Sequence, residues 1–391
     1  MTQPASAGAS STALPATVDA LSAALIALYA DAETQLLDSL SRAAAHGLHD
    51  TAASMQVLLL GQMQNNARRV ATQLALRSGP LTQQVITAAA QRGDAAALTA
   101  IRNAVEGHPS LAAQYLARAA GVSGHALTAA NAIQLDLQRG LTATWQGIVR
   151  FADDAYRAAV AEAATRQVLN REALTPATTQ RLAWRELTRD GVTGYTDTAG
   201  RRWNLSSYVE MATRTAVQRA YNASHQARMT SVGIGYFTVP GDGHPCPLCR
   251  PWEGAVIGPR PGVVRELSAV SGQPVTFTVK ATVDEARAAG LWHPNCRHTL
   301  TAYLPGVTRT TAPRAWTDAD QARYDATQRL RYLERQVRAY KREQAAALDD
   351  LDRQRAARKV RAYQAQIRTH VARHNLVRRR RREQLDLGNK P

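Results

Sequence analysis

Cysteine is nearly absent from this chain: 391 residues carry three, Cys246, Cys249 and Cys296. So small and odd a number excludes a disulfide-stapled fold. Its C-x-x-C spacing points instead to reduced, intracellular chemistry of the metal-binding or redox kind. Phenylalanine is as scarce, at three residues, and aromatics together make up 5%. Much of the 45% hydrophobic content is alanine, which favours helix and buries little area. Long, Ala-rich helices around slim cores are therefore expected, rather than one bulky core. No apolar run approaches the ~18 residues of a membrane span. The opening "MTQPASAGASSTALP" has neither a basic start nor an apolar core, so a secretory signal is not expected there. Residues 1–16 read as a flexible N-terminus. Acidic residues are outnumbered, 31 Asp+Glu against 48 Lys+Arg, leaving a net charge of +17. That excess favours a polyanionic partner, most often nucleic acid.

The expected fold is mainly α: a helical N-terminal region, a small α+β central domain and a basic helical C-terminal segment. Residues 17–191 carry helical spacing throughout, with Leu21, Leu25, Leu28, Leu36, Leu37 and Leu40 as its first face. Breaks are expected at "RSGPLT" and "EGHPS". A long amphipathic helix is expected over 125–170, with Ile133, Leu137, Leu141, Trp145, Val149, Ala152 and Tyr156 on one side. The next helix takes Thr175 as its cap and Pro176 in its first turn. Over 192–306 the texture changes. "GYTDTAGRRWNL" reads as a hairpin turning at Thr198-Ala199-Gly200, then comes a helix from "LSSYVEM" to "MTSVG". "IGYFTVPG" and "QPVTFTVKATV" read as strands, and "DEARAAG" as a short helix stopped by Gly290. From 314 to 391, Leu330, Leu333, Val337 and Tyr340, then Val360, Tyr363, Ile367 and Val371, predict a helical hairpin. This segment holds 21 Lys+Arg against 10 Asp+Glu, so 21 − 10 = +11 of the +17 lies there.

All three cysteines fall in "GDGHPCPLCRPWEG" and "GLWHPNCRHT". Two residues between Cys246 and Cys249 let both sulfurs face one ion, and Pro247 pre-sets the turn. His293 and Cys296 repeat that spacing, which makes C-x2-C-x43-H-x2-C overall. Three thiolates and one imidazole complete a tetrahedral, structural zinc site, with His298 and His244 as spare candidates for the fourth ligand. Three reduced, buried thiols beside a histidine bonded to a backbone carbonyl would leave the same sequence. A redox C-x-x-C would be expected to open a helix after a strand, which this one does not. The pattern P-C-x-x-C is half of a zinc-deaminase signature, but no upstream His-x-Glu completes it. A His-Asn-His-type nuclease is a further reading, since "HPNCRH" is rich in both residues and the chain is basic. Arg214 and Arg219 are candidate partners for Asp242 or Glu253. Trp252 and Trp292 are candidate shields for the sulfurs.

The stretches "GYTDTAGRRWNLSSYVEMATRTAVQRAYNASHQARM", "GHPCPLCRPWEGAVIG" and "GLWHPNCRHTLTAYLPG" resemble the phage minor capsid protein 2 family. That family is similar to the head morphogenesis proteins of the phage Mu protein F and SPP1 type. The resemblance is most specific over about 194–306. Carried over by position, its distinctive residues are Tyr208, Met211, Arg214, Thr215, Cys246, Cys249, Trp252, Glu253, Gly254, and His293 through His298. It implies a non-enzymatic virion component present in few copies at the portal vertex or inner capsid face. Portal protein, major capsid protein and genomic DNA would be its partners, and no membrane. The run Arg378, Arg379, Arg380, Arg381 and Arg382 is the candidate DNA contact. Five such charges would repel one another unless a polyanion neutralised them, and would read phosphates rather than bases. The alternative is a metal-dependent DNA nuclease or other DNA-processing enzyme. A host DNA-binding protein without a virion role is a third reading.

Overall fold

The computed structural model describes residues 10–47, 53–120, 130–151, 182, 184–186, 188–189, 191, 193–196, 202–241, 243–244, 246–310 and 314–385. Thr175, Pro176, the Thr198–Gly200 turn, Asp242 and the part of the amphipathic helix beyond residue 151 lie outside them. The chain forms two compact units, one of residues 1–22, 82–137 and 211–324, the other of 23–81, 138–210 and 325–391.

The unit of residues 23–81, 138–210 and 325–391 is mainly helical, as alanine and leucine content dictate. It draws on helices Ser10–Gly47, Ala53–Ala104, 130–151, Asp318–Ala345 and Asp350–Arg373. Leu25, Tyr29, Leu36, Leu40, Met63, Leu74, Leu141 and Ile148 are fully enclosed. The first leucine face is therefore a core face, as its spacing predicts. The 130–151 helix departs from expectation. Its buried line runs Leu141, Thr144, Ile148, Phe151, while Trp145 and Val149 are half-buried. The expected line stepped mostly by four and drifted off the 3.6-residue period; the observed steps alternate three and four. The C-terminal hairpin forms as predicted: Leu330, Leu333, Val337, Val360 and Ile367 make one cluster, with Tyr340, Tyr363 and Val371 against it. Asp349 caps its second helix by accepting from the Asp352 N–H at 2.8 Å. Strands β1 (Thr193–Thr196) and β2 (Arg202–Asn204) make the expected antiparallel pair.

One expected break does not occur. "RSGPLT" lies inside a continuous helix, Ala53–Ala104, with Pro80 in its interior. An internal proline costs about 3 kcal/mol of local helix stability. Leu74 on one side, and Val85, Ile86, Ala89 and Ala90 on the other, are all buried, and that burial outweighs it. The break at "EGHPS" does occur, before helix Pro109–Ala120, where Gly107 takes φ +80°.

The unit of residues 1–22, 82–137 and 211–324 contains the sheet. Strands β3 (Phe237–Thr238), β4 (Val256–Ile257), β5 (Gly262–Leu267), β6 (Pro274–Ala281) and β7 (Thr301–Ala302) lie in the order β5-β6-β4-β3-β7. Only β4 and β6 run parallel. β5, which sequence reading left out, pairs with β6 from Gly262↔Val279 to Leu267↔Pro274. The short helix Val283–Ala288 carries a full capping box between Thr282 and Glu285, and Gly290 closes it at φ +107°. One core gathers Ala97, Ile101, Met229, Phe237, Val239, Trp252, Ile257, Trp292 and Leu300 around Cys249 and Cys296.

Helix Leu205–Ser231 supplies this core with a buried histidine. His225 Nδ1 lies 3.2 Å from the Gly93 carbonyl and Nε2 2.9 Å from that of Leu300. A neutral ring has one N–H and satisfies only one of them, yet burial holds its pKa below the usual value. The neutral form is thus favoured on folding, so the associated stability is complete above the ordinary histidine pKa of about 6.5 and is lost as pH falls through the lower folded value. Melting profiles of wild type and His225→Gln are expected to diverge between pH 7 and pH 5, with the wild type falling faster. Parallel profiles would show that His225 does not titrate in this way.

Candidate metal centre

The knuckle is a tight turn because Cys249 N–H and Arg250 N–H both donate to the Cys246 carbonyl, at 3.2 and 2.9 Å. It runs into a short 3-10 turn, Arg250–Trp252, with Pro251 in its first turn. The second half is also tight: Cys296 N–H donates to the His293 carbonyl at 2.9 Å. Trp292 and Asn295 flank His293 and Pro294 with φ of 60° and 66°. Asparagine tolerates that region. For tryptophan it costs on the order of 1–3 kcal/mol, which the surrounding packing must hold in place.

These turns bring the four sequence-predicted donors together, and His298 with them. Cys246, Cys249 and His293 form one group whose ligand atoms lie within 4.8 Å of one another, and Cys249, Cys296 and His298 form a second. Cys249 belongs to both. Cys246 Sγ is 3.1 Å from His293 Nε2, Cys249 Sγ 3.6 Å from Cys296 Sγ, and Cys296 Sγ 3.6 Å from His298 Nδ1. A tetrahedral zinc with Zn–S near 2.3 Å and Zn–N near 2.05 Å has donor–donor edges of about 3.8 Å (S–S) and about 3.6 Å (S–N). Within the group of Cys249, Cys296 and His298 the 3.6 Å separations fit the edges of such an ion, while Cys246 and His293 share only Cys249 with that group. His244 does not join the cluster. It is exposed, 3.1 Å from the Arg297 guanidinium.

Each histidine is oriented from behind. His293 Nδ1 lies 2.9 Å from the Pro294 carbonyl, which fixes Nε2 as the face toward Cys246. His298 Nε2 lies 3.1 Å from Glu253 Oε1, leaving Nδ1 toward Cys296. A carboxylate behind an imidazole is the outer-sphere arrangement that metal-bound histidines use. Glu253 is itself held by Arg250, whose guanidinium donates to Oε2 at 2.6 Å. Although burial works against it, His298 and Arg250 keep the Glu253 carboxyl below the usual range. Trp292 Nε1–H donates to the His298 carbonyl at 3.0 Å.

The thiols divide their protons unequally. Cys246 is pulled down to about 4, first by the hydrogen bond from Cys249 and then by His293. Cys296 is pulled down to about 5, again by Cys249 first and then by His298. Cys249, hydrogen-bonded with both and buried, is pushed up. The arrangement therefore favours the thiolate at Cys246 and Cys296 and the thiol at Cys249.

Trp252 and Trp292 are buried beside the sulfurs, as their flanking positions suggested. Arg214 finds a different partner from the expected pair: it bonds Asp19. Arg219 is exposed. Glu253, a candidate partner for those arginines, is 8% exposed and instead joins the site through His298 and Arg250. Its place in "WEG", three residues past the knuckle, was the available signal.

In the other unit, the arginine run is folded rather than free. Arg378 makes a two-pronged bond to Glu383, at 2.6 and 2.7 Å, and Glu383 is 2% exposed. Arg382 NH1 lies 3.6 Å from Glu210 and 4.0 Å from Glu334. Arg380 is exposed, while Arg379 and Arg381 are half-buried. Internal carboxylates thus do part of the neutralising that the sequence assigned to a polyanion.

The chain belongs to the phage minor capsid protein 2 family, whose model matches residues 14–372, nearly its whole length. No curated protein matches it, and no solved structure does. The family assigns the chain a structural role in the phage virion. Among the described residues, no helix is long and apolar enough to cross a membrane.

Proposed function

We propose that this protein is a low-copy component of the phage head, at the portal or the inner capsid face. In this reading it contacts genomic DNA without sequence preference and assists head assembly, packaging or delivery without being an enzyme. The observation that carries the reading is the extent of the family match, residues 14–372. The DNA contact is supported by the +11 carried by residues 314–391, which would bind phosphates in a salt-sensitive way. Portal protein and major capsid protein are the proposed protein partners. Quantitative mass spectrometry of DNA-filled and emptied particles tests the proposal. A few copies per filled particle are expected. Retention on emptying places the protein on shell or portal, and loss means that it leaves with the genome. Absence from both particles defeats the structural reading and makes a metal-dependent nuclease the one to assay.

We further propose that the cluster holds one structural zinc, through Cys246, Cys249, Cys296 and one imidazole. Bound zinc would tie two segments that lie 43 residues apart in sequence into one small unit. His293 completes the set expected from spacing. His298 has the stronger geometric claim, since its 3.6 Å separation from Cys296 equals an S–N edge and Glu253 backs it. The 3.1 Å between His293 and Cys246 is that of a hydrogen bond. Metal analysis of His298→Ala and His293→Ala is expected to show loss in the first and at most weakened binding in the second. The reverse pattern would return the fourth position to His293.

A further inference from the structure

A concavity of about 470 Å³ lies beside the knuckle, lined by Pro247, Arg250, Pro251, Lys280, Arg314 and Trp316 together with Ala315. Its volume is in the range of sites that enclose a small molecule. Three of the lining side chains are cations, and among the described residues no acid lines it. The carboxylates that answer them stand behind. Glu253 accepts from Arg250 at 2.6 Å, while Asp320 accepts from Arg250 at 3.1 Å and from Arg314 at 2.6 Å. Three cations against two acids leave 3 − 2 = +1 at the site. Lys280 is exposed, bonded to the Pro251 carbonyl and 5.0 Å over the Trp252 ring. The Arg314 side chain is 65% exposed. Both can turn toward a ligand at little cost.

The remaining wall is aromatic and apolar. Trp316 is half-buried. The Arg250 guanidinium lies 5.8 Å over its ring, and Tyr324 meets it edge-on at 6.4 Å. The indole N–H donates to Gln321 at 3.3 Å. The ring is thus anchored, and Pro247 and Pro251 extend a rigid apolar floor beside it. An anchored tryptophan next to two mobile cations is the pairing that holds a base by its face and its neighbouring phosphate by charge. In a duplex that face is covered by stacking, so the pocket suits an unpaired nucleotide.

We infer that this pocket binds a single-stranded nucleic acid segment, with Trp316 against a base and Lys280 and Arg314 on the adjacent phosphates. The inference rests on the reading of this chain as a genome-contacting virion protein, and it adds a contact apart from the arginine run. The knuckle builds the site directly. Pro247 lies between its cysteines, and Arg250 takes its position from the N–H bond to the Cys246 carbonyl.

The test uses the full chain as purified and a fluorescently labelled oligothymidine, read by anisotropy at several salt concentrations, with a duplex of equal length alongside. Lys280→Ala/Arg314→Ala is expected to weaken single-strand binding at least tenfold and to make its salt slope shallower by about 1.4, two phosphates at about 0.7 each. Trp316→Ala is expected to weaken it by roughly fivefold to a hundredfold, with Trp316→Phe restoring most of the loss. Unchanged melting of Lys280→Ala/Arg314→Ala guards against a folding artefact. Single-strand binding that survives all three variants but falls when Arg379, Arg380 and Arg381 are replaced would overturn the pocket and leave the genome-contact reading intact. Failure of the wild type to bind either DNA would sink both. Binding of an acidic, aromatic peptide with the same dependence on these three residues, and no strand bound, would assign the pocket to a protein partner instead.

Discussion

Replacing Cys249 with alanine is expected to abolish the proposed zinc binding and, with it, to lower stability by about 5 kcal/mol or more. The size follows from position. Cys249 is the one thiol shared by both donor groups, it is 1% exposed, and it hydrogen-bonds both other sulfurs. Structural zinc in small units contributes on the order of 10 kcal/mol of binding free energy, which is folding free energy where the apo site is not preformed. Removing His293 leaves the proposed set of Cys246, Cys249, Cys296 and His298 in place; removing Cys249 divides the cluster into two pairs, Cys246–His293 and Cys296–His298. Metal content per chain and thermal melting of wild type and variant measure the effect directly. A wild type that purifies without stoichiometric metal, paired with a Cys249→Ala variant that melts within about 1 kcal/mol of it, would falsify the zinc assignment and leave three buried thiols packed as a core.

Gly93→Ala is expected to cost roughly 3 kcal/mol, although alanine is the better helix former. Gly93 lies within helix Ala53–Ala104. A Cβ there would sit 2.2 Å from the Tyr221 carbonyl oxygen, 2.9 Å from its carbon and 3.0 Å from its Cα. All three are backbone atoms of helix Leu205–Ser231, so no side chain can swing aside and the helices must part. Parting them also stretches the contact between the Gly93 carbonyl and His225. Gly61 in the same helix is the control, since a Cβ there meets nothing within 4 Å. Gly61→Ala should be neutral or stabilising by up to about 1 kcal/mol. Urea midpoints of the two variants that moved together would show the close approach to be unimportant.

Period and punctuation made much of the architecture readable. The leucines of the first helix, the C-terminal hairpin and the capped helix after "KATV" could be read from spacing and cap residues alone, because each depends on neighbours close in sequence. Pro80 misled for the opposite reason: the local rule is sound, but Val85, Ile86 and Ala89 bury enough surface to override it. The strand Gly262–Leu267 was missed because nearly all of it is exposed, so it carries no buried alternation to read. In the site, the knuckle spacing announced Cys246, Cys249, His293 and Cys296. His298 stood only as a spare fourth ligand and its pairing with Glu253 did not show, because an acid 45 residues from its imidazole becomes a partner only when the two turns close on each other. The arginine run shows the same limit: its charges were visible, but the buried Glu383 and Glu334 and the half-buried Glu210 that face Arg378 and Arg382 were not.

That partial neutralisation changes how the segment would behave as a polyelectrolyte. A bare run of five arginines would displace about five counterions from a duplex, for a log–log salt slope near −4.5. With Arg378 and Arg382 engaged by carboxylates, fewer than five charges exchange with the ionic atmosphere, and the slope is shallower than that. Its grip on a genome would then be loose and quickly reversible at physiological salt, closer to a sliding contact than to an anchor.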